Sequence, residues 1–543
     1  MTIHQRPSPI LKRPELSPFE LKDELIHFAK DYSQRKSATH AFLNAGRGNP
    51  NWVATTPREA FFLLGQFALD ESKRIWNEPD IGGMPHAEGA AVRLREFMRR
   101  VPQTEGADLL QRGLDYAVTE LGFDADNFVH ELVDSIVGDN YPEPDRMLHH
   151  AEAVVHRYLM KEMCDDRPPS GKYDLFAVEG GTAAMCYVFR SLMENGILER
   201  GDTIALGVPI FTPYLEIPRL NDYGLDVVEI HQCEMPDGQN AWQYPDSELD
   251  KLLDPRIKAF FIVNPSNPAS FAVSDHSHRY LANLIRAARP DLIILTDDVY
   301  GTFVPGFRSF AAEMPRNTIL VYSYSKHFGC TGWRLGVVAL HEDNVIDDLL
   351  ARQSSRQKAR LRQRYGTISE SPDNIKFIDR LVADSRDVAL NHTAGLSPPQ
   401  QAQMTLFSLF ALLDWEDRYK RRCRAIVAER LGALERGLGV QVPKSPLRAG
   451  YYVELDLEAW GRKAAGEEFL LYVAQHSEPL DIVITLARQH GTVLLNGSGF
   501  DGPAWSARVS LANLNADEYE AIGRDLAEIC RQALERWKRH EAH

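Results

Sequence analysis

What this sequence lacks narrows its function before any motif is read. In 543 residues there is no run of 18 uncharged apolar residues, so no membrane-spanning helix is expected. There is no excess of positive charge: 61 Lys+Arg stand against 76 Asp+Glu, a net charge of −15. Nucleic acid and anionic membrane need a basic face, so neither is expected as a partner. A winged-helix regulator is unsupported too, because residues 1–140 hold no basic recognition helix. The N-terminus, MTIHQRPSPILKRPELSP, lacks the apolar core of a secretory signal. Cysteines are few (Cys164, Cys186, Cys233, Cys330, Cys423 and Cys530), and none form a C-x-x-C pair. No metal site and no disulfide framework is expected, and a reducing, cytoplasmic setting fits.

The remaining composition is that of an ordinary globular protein, 44% apolar and 25% charged. Its length exceeds one compact core, so two or three domains are expected. Residues 1–60 read as an arm joining a small domain, with a helix around FELKDELIHFAKDYSQR and then the loop NAGRGNPNW. Residues 61–140 read as a helical insertion. There Leu110, Leu114, Ala117, Val118 and Leu121 share one helix face, and Phe128, Val129, Leu132, Val133 and Ile136 share another. Asp124 or Asp126 is the expected cap of the second helix. Residues 141–395 read as a large domain and 396–543 as a small α+β domain. A charged helical insertion is expected over 342–390, with Arg352, Arg356, Arg360 and Arg364 four apart on one solvated face.

Within the large domain, short apolar runs alternate with helical stretches. The runs are YDLFAVE, TIALGV, DVVEIH, AFFIVN, LIILTDD, TILVYSY and VVAL. This pattern predicts an α/β fold with a mostly parallel sheet flanked by helices. Such sheets bind ligands beyond the carboxyl ends of their strands. Four polar loops stand there. Gly180, Gly181 and Thr182 open a helix whose free N–H groups suit an anion. NPSNPAS holds the Asn267 amide in a rigid turn. DDVYGTF places Asp297, taken as the more buried of its pair, and Tyr300 after an apolar strand. SYSKHFGCTGWRLG carries Ser323, Lys326 and Arg334. Alone, each has an ordinary explanation as a turn, a cap or a surface charge. Together an anion nest, a fixed amide, a buried acid and an amine match pyridoxal phosphate.

Serine three before the lysine and arginine eight after it resemble the aspartate aminotransferase family of fold-type I pyridoxal-phosphate enzymes. The resemblance implies that Lys326 carries the cofactor and moves the α-proton. It implies that Gly181, Thr182, Ala183, Ser323 and Arg334 bind phosphate, and that Asp297 faces the pyridine nitrogen. Asn267 and Tyr300 would hold the phenolic oxygen. In VPIFTPY, Phe211 would stack on the ring, and in WSARVSLAN, Arg508 would grip the substrate α-carboxylate. NYPEPDRMLHHA resembles the segment whose tyrosine, here Tyr141, reaches a neighbouring subunit's phosphate.

One departure bears on the reaction. The family's arginine for the distal carboxylate precedes a Ser-x-Pro, but NHTAGLSPPQQ has none, and His392 and Thr393 stand in its place. Arg47 in NAGRGNP is the alternative. Length, both insertions and the wording of these loops resemble the aspartate 4-decarboxylases. This implies conversion of L-aspartate to L-alanine and CO2 with the cofactor as electron sink, some transaminase activity, and a homo-oligomer, at least a dimer and typically a dodecamer. An aspartate or aromatic aminotransferase without decarboxylase activity is the alternative.

Overall fold

The computed structural model describes residues 18–35, 42–141, 146–234, 242–388, 395–442 and 444–542. The chain divides into two compact units. The large one comprises 49–426 and 443–451, and the small one 1–48, 427–442 and 452–543.

All seven apolar runs form one sheet in the large unit. Its strands are β1 (Tyr173–Val178), β2 (Thr203–Val208), β3 (Asp226–His231), β4 (Ile257–Val263), β5 (Ile293–Asp297), β6 (Thr318–Ser323) and β7 (Gly336–His341). They lie in the order β1-β7-β6-β5-β4-β2-β3. Only β7 runs antiparallel to its neighbours. Every residue of β1, β5, β6 and β7 is buried, as apolar strands covered on both faces require. The register decides where the loops emerge. Asp297 at the end of β5 lies beside Val263 and Val321. Gly336 lies beside both Ser323 and Val178. The chain ends of β1, β4, β5 and β6 therefore open on the same edge.

The helices expected over 61–140 are Thr55–Ile75, Ala90–Arg100, Glu105–Thr119 and Ala125–Val137. Asp124 caps the last of them through the Asn127 N–H, while Asp126 accepts from Gly89 and Ala91 instead. The layer is no loose appendage. Leu64, Phe67, Leu114 and Phe128 share a core with Val154 and with Ala402, Leu406 and Leu409 of the helix Pro398–Leu413. Truncating a buried phenylalanine such as Phe128 in a core of this kind costs about 3–5 kcal/mol. That shared core explains the first correction: residues 396–426 belong to the large unit, not to a small domain beginning at 396.

The segment 342–390 also differs from one long solvated helix. It forms the helices Val345–Ala351, Ser355–Tyr365 and Phe377–Ser385. A Ser354–Gln357 capping box starts the middle one, so Arg352 lies before it and not on a shared face. Arg364 pairs with Glu194 and with buried Asp384, which also accepts from Ser191 and Tyr365. The segment is thus tied to the helix Gly181–Glu194 that follows β1.

In the small unit, β8 (Tyr452–Asp456), β9 (Leu495–Asn496) and β10 (Ser506–Ser510) form an antiparallel sheet in the order β8-β10-β9. Leu43–Asn44 pairs with Thr492–Val493, which ties the arm to this unit. The helix Ala516–Glu541 closes it, started by an Asn515–Glu518 capping box.

Candidate active site

The loops at the sheet edge bring most of the expected residues of the large unit together. A Cβ built on Gly181 would lie 3.6 Å from Asp297 Oδ2 and 3.8 Å from Ser323 Cβ, so three loops meet there without a side chain between them. Gly180 has φ +93°, and a Cβ there would collide with the Arg334 guanidinium. Arg334 itself has φ +55°, and its Nη2 donates to the Glu179 carbonyl (3.0 Å) and its Nη1 to that of Thr331 (2.9 Å). The head group is thereby fixed beside the start of the helix Gly181–Glu194, where Gly181, Thr182 and Ala183 form the first turn. Ser323 Oγ donates to Ser325 Oγ at 2.9 Å. These groups form an anion cradle: first-turn N–H groups, two hydroxyls and one arginine.

Asp297 is 5% exposed. Its Oδ2 accepts the Tyr214 hydroxyl at 2.6 Å and its Oδ1 the Val299 N–H at 3.2 Å. Burial raises its carboxyl above the usual range, against the pull of the Tyr214 and Val299 hydrogen bonds and of the Lys326 charge. A carboxylate in this state gains from a cationic partner. Asp298 is buried even more completely, which corrects the expected ranking of the two. It faces Thr296, and burial pushes its carboxyl up to about 8. Asn267 and Tyr300 are buried, and the Tyr300 ring lies 5.1 Å from that of Tyr451. Phe211 is half-buried, edge-on to Tyr214 at 5.4 Å.

Lys326 is half-buried, three residues past β6. Its neighbour His327 is buried, and burial pushes its imidazole down to about 3, so it is neutral. The His327 carbonyl accepts from Trp52 Nε1 (3.1 Å) and the Tyr419 hydroxyl (2.9 Å), which pins the backbone next to the lysine. Sequence reasoning missed Tyr214, Trp52 and Tyr419. The first two stand inside the stretches VPIFTPY and NAGRGNPNW, while nothing in the sequence marks the third.

In the small unit Arg508 is buried, with its guanidinium 4.4 Å from the Tyr452 ring and 4.6 Å from the Phe500 ring. Its Nη2 donates to the Gly46 carbonyl at 2.8 Å. Arg47, the next residue, is exposed. Tyr141 is 68% exposed. His392 lies outside the described residues.

The large-unit set fits pyridoxal phosphate: a cradle that glycine keeps open, a buried acid, and an amine, Lys326, that in the chain falls between that acid and the phosphate-type arginine Arg334. The family model for aminotransferase class I and II matches residues 176–524. The bifunctional aspartate aminotransferase and L-aspartate beta-decarboxylase of a Pseudomonas species is 48% identical over 525 residues, 96% of this chain and 97% of that protein. The aspartate aminotransferase of Rhizobium meliloti strain 1021 is 25% identical over 230 residues, 37% of this chain and 52% of its own. Among solved structures, a single mutant of Thermus thermophilus aspartate aminotransferase superposes with a TM-score of 0.58 at 15% identity, covering 96% of this chain and 99% of that one. This supports the fold-type I architecture. The chain belongs to the class I and II aminotransferases, enzymes that work with pyridoxal 5′-phosphate.

Proposed function

We propose that the protein removes the β-carboxylate of L-aspartate to give L-alanine and CO2, and also transaminates aspartate. One observation carries this reading. The match to the bifunctional Pseudomonas enzyme covers 96% of the chain and leaves too few residues over to omit either extra segment, whereas the match to the Rhizobium aminotransferase covers 37%.

When bound, pyridoxal phosphate supplies the electron sink for the bonds broken at the α- and β-carbons. Gly181, Thr182, Ala183, Ser323 and Arg334 bind its phosphate. Asp297, with Tyr214 behind it, keeps the proton on its ring nitrogen, and Asn267 and Tyr300 hold its phenolic oxygen. Phe211 would stack on its ring. Lys326 Nζ takes the substrate's α-proton. Arg508 binds the α-carboxylate with its planar fork. The β-carboxylate must depart, and a full bidentate ion pair would stabilise it in the ground state. We assign its recognition to exposed Arg47 and to His392 in place of the missing arginine.

The exposed Tyr141 fits a side chain that serves a second copy, so the working form is a homo-oligomer, at least a dimer and by its resemblance a dodecamer. All six cysteines are free, which suits the cytoplasm. Among the described residues no helix is long and apolar enough to cross a membrane.

The test is CO2 release from L-aspartate with no keto acid present. Release sustained over many turnovers supports decarboxylation. A halt after one turnover would leave a plain aminotransferase. Lys326→Ala is expected to lower the rate by about 10²–10⁴-fold or more.

A further inference from the structure

The loop between Lys326 and Arg334 is gripped from outside by residues 52–58. Three consecutive carbonyls follow the lysine, and all three accept from that segment. The His327 carbonyl accepts from Trp52 Nε1 at 3.1 Å. The Phe328 carbonyl accepts from the Ala54 N–H at 3.1 Å and from Arg58 Nη1 at 3.2 Å. The Gly329 carbonyl accepts from Arg58 Nη2 at 2.8 Å, and Arg58 Nη1 also donates to the Ala54 carbonyl at 2.7 Å. One guanidinium therefore bonds both segments at once. It lies 5.2 Å from the centre of the Trp333 ring and 5.3 Å from that of Phe407, within the range of a cation–π contact. Trp333 directly precedes Arg334. The approach leaves no room for a side chain at Gly329, which has φ +61° and whose Cβ would collide with the Trp52 carbonyl.

We propose that Arg58 is a positioning residue for Lys326, and that through it the extra helical layer sets where the amine stands. The inference rests on the role given to Lys326. Regular structure stops at Ser323 on β6 and resumes at Gly336 on β7, so the lysine's backbone needs other anchors. Within the loop the Phe328 N–H bonds the Tyr324 carbonyl, and the Cys330 N–H bonds that of Ser325. Those bonds shape the turn. The grip of Trp52, Ala54 and Arg58 decides where the turn lies. Arg58 is itself well placed to do this, because it stands at the start of the helix Thr55–Ile75, which Ala60 and Leu64 fasten into the shared core. A guanidinium suits three carbonyls, since its planar fork carries several donors in fixed directions, whereas an ammonium is a point charge on a flexible stem. A base must stand within hydrogen-bond reach of the proton it takes, and a misplacement of about 1 Å costs about 10²-fold. Arg58 fixes the amine and has no part in holding the substrate's carboxylates. Its loss should therefore act on kcat and on cofactor capture, and not on KM.

The experiment compares the native enzyme with Arg58→Met, which keeps the stem and removes every donor, and with Arg58→Lys. Apoenzyme is mixed with pyridoxal phosphate, and the absorbance of the lysine-bound cofactor gives the rate of capture. Loaded enzyme is then assayed with L-aspartate, with rates expressed per bound cofactor. Arg58→Met should capture the cofactor about tenfold or more slowly and lose about 10–100-fold in kcat, with KM for L-aspartate within about twofold of native. Arg58→Lys should fall between the two, as a partial rescue. Native capture and native kcat in Arg58→Met would overturn the proposal, and so would a loss confined to KM. If Arg58→Met does not fold, Trp52→Phe takes its place: it keeps a ring and removes the donor to the His327 carbonyl. A smaller loss in the same two readings is expected there, and native values in both Trp52→Phe and Arg58→Lys would overturn the proposal. Lys326→Ala is the separate control. A lysine-bound absorbance that persists in it would refute the role of Lys326 instead. Capture does not depend on which reaction follows, so a failure of the decarboxylase reading leaves this test standing.

Discussion

The two units prepare opposite charges in different ways. In the large unit the carboxylate of Asp297 is taken out of water and given a tyrosine hydroxyl and one backbone N–H. In the small unit the guanidinium of Arg508 is held between two aromatic rings and tied to one carbonyl. Around Asp297 burial disfavours the charged form, and the Lys326 charge favours it. Taking a charge out of water costs stability, and part of that cost is offset when an oppositely charged ligand arrives. The two sites differ in how the charge is kept. Asp297 relies on donors that favour its ionised form, whereas Arg508 cannot lose its proton and is held in place by the Tyr452 and Phe500 rings and the Gly46 carbonyl.

The largest test of this contrast is Asp297→Asn. An amide cannot keep a proton on a pyridine nitrogen, and the ligand's cation would be left buried without a partner. Breaking a buried pair from one side costs about 3 kcal/mol or more, roughly 10²-fold or more in cofactor affinity. Titration of the apoenzyme with pyridoxal phosphate, followed by absorbance, measures it. Unchanged affinity would show that Asp297 does not face a cation. Arg508→Lys comes next. It retains the charge and loses the fork, so about 1.5–3 kcal/mol of charged hydrogen bonding is at stake, roughly 10–100-fold in KM for L-aspartate. Cofactor affinity should not change. A parallel loss of cofactor would mean that the two units do not divide the work as described.

Much of this was readable in the sequence, for physical reasons. Central strands buried on both faces must be continuous apolar runs, so all seven strands of the large sheet were visible. Their carboxyl ends then pointed to the loops with Lys326, Asp297 and Asn267. What could not be read depends on packing between distant segments. The helix Pro398–Leu413 looks like the start of a new domain until Leu406 and Leu409 are seen in the core of the 55–137 layer. Asp298 reads as the lesser acid until the Thr296 and Ser309 hydroxyls are found around it. Glu454 alternates with apolar residues in YYVELDL, the pattern of a solvent-facing strand position, and only the register across β8 and β10 sets it opposite Arg508.

Tyr214→Phe gives the smallest and sharpest test, because it changes one proton donor and keeps the ring. The hydroxyl is 2.6 Å from Asp297 Oδ2, and its hydrogen bond favours the ionised carboxylate. Removing it leaves that oxygen without its donor, so the carboxyl, already raised by burial, moves higher. The cofactor's own cation offsets part of this loss, so about 1 kcal/mol, roughly fivefold in cofactor affinity, is expected. The sign with pH is fixed. Only ionised Asp297 favours the protonated ring nitrogen, and that form is lost as pH falls through its pKa. In the variant the loss must begin at a higher pH than in the native enzyme. Cofactor titrations at several pH values will show two displaced curves if Tyr214 tunes the acid. Coincident curves would mean that the hydroxyl only packs the turn after β2, and that the large unit keeps its carboxylate ionised by other means.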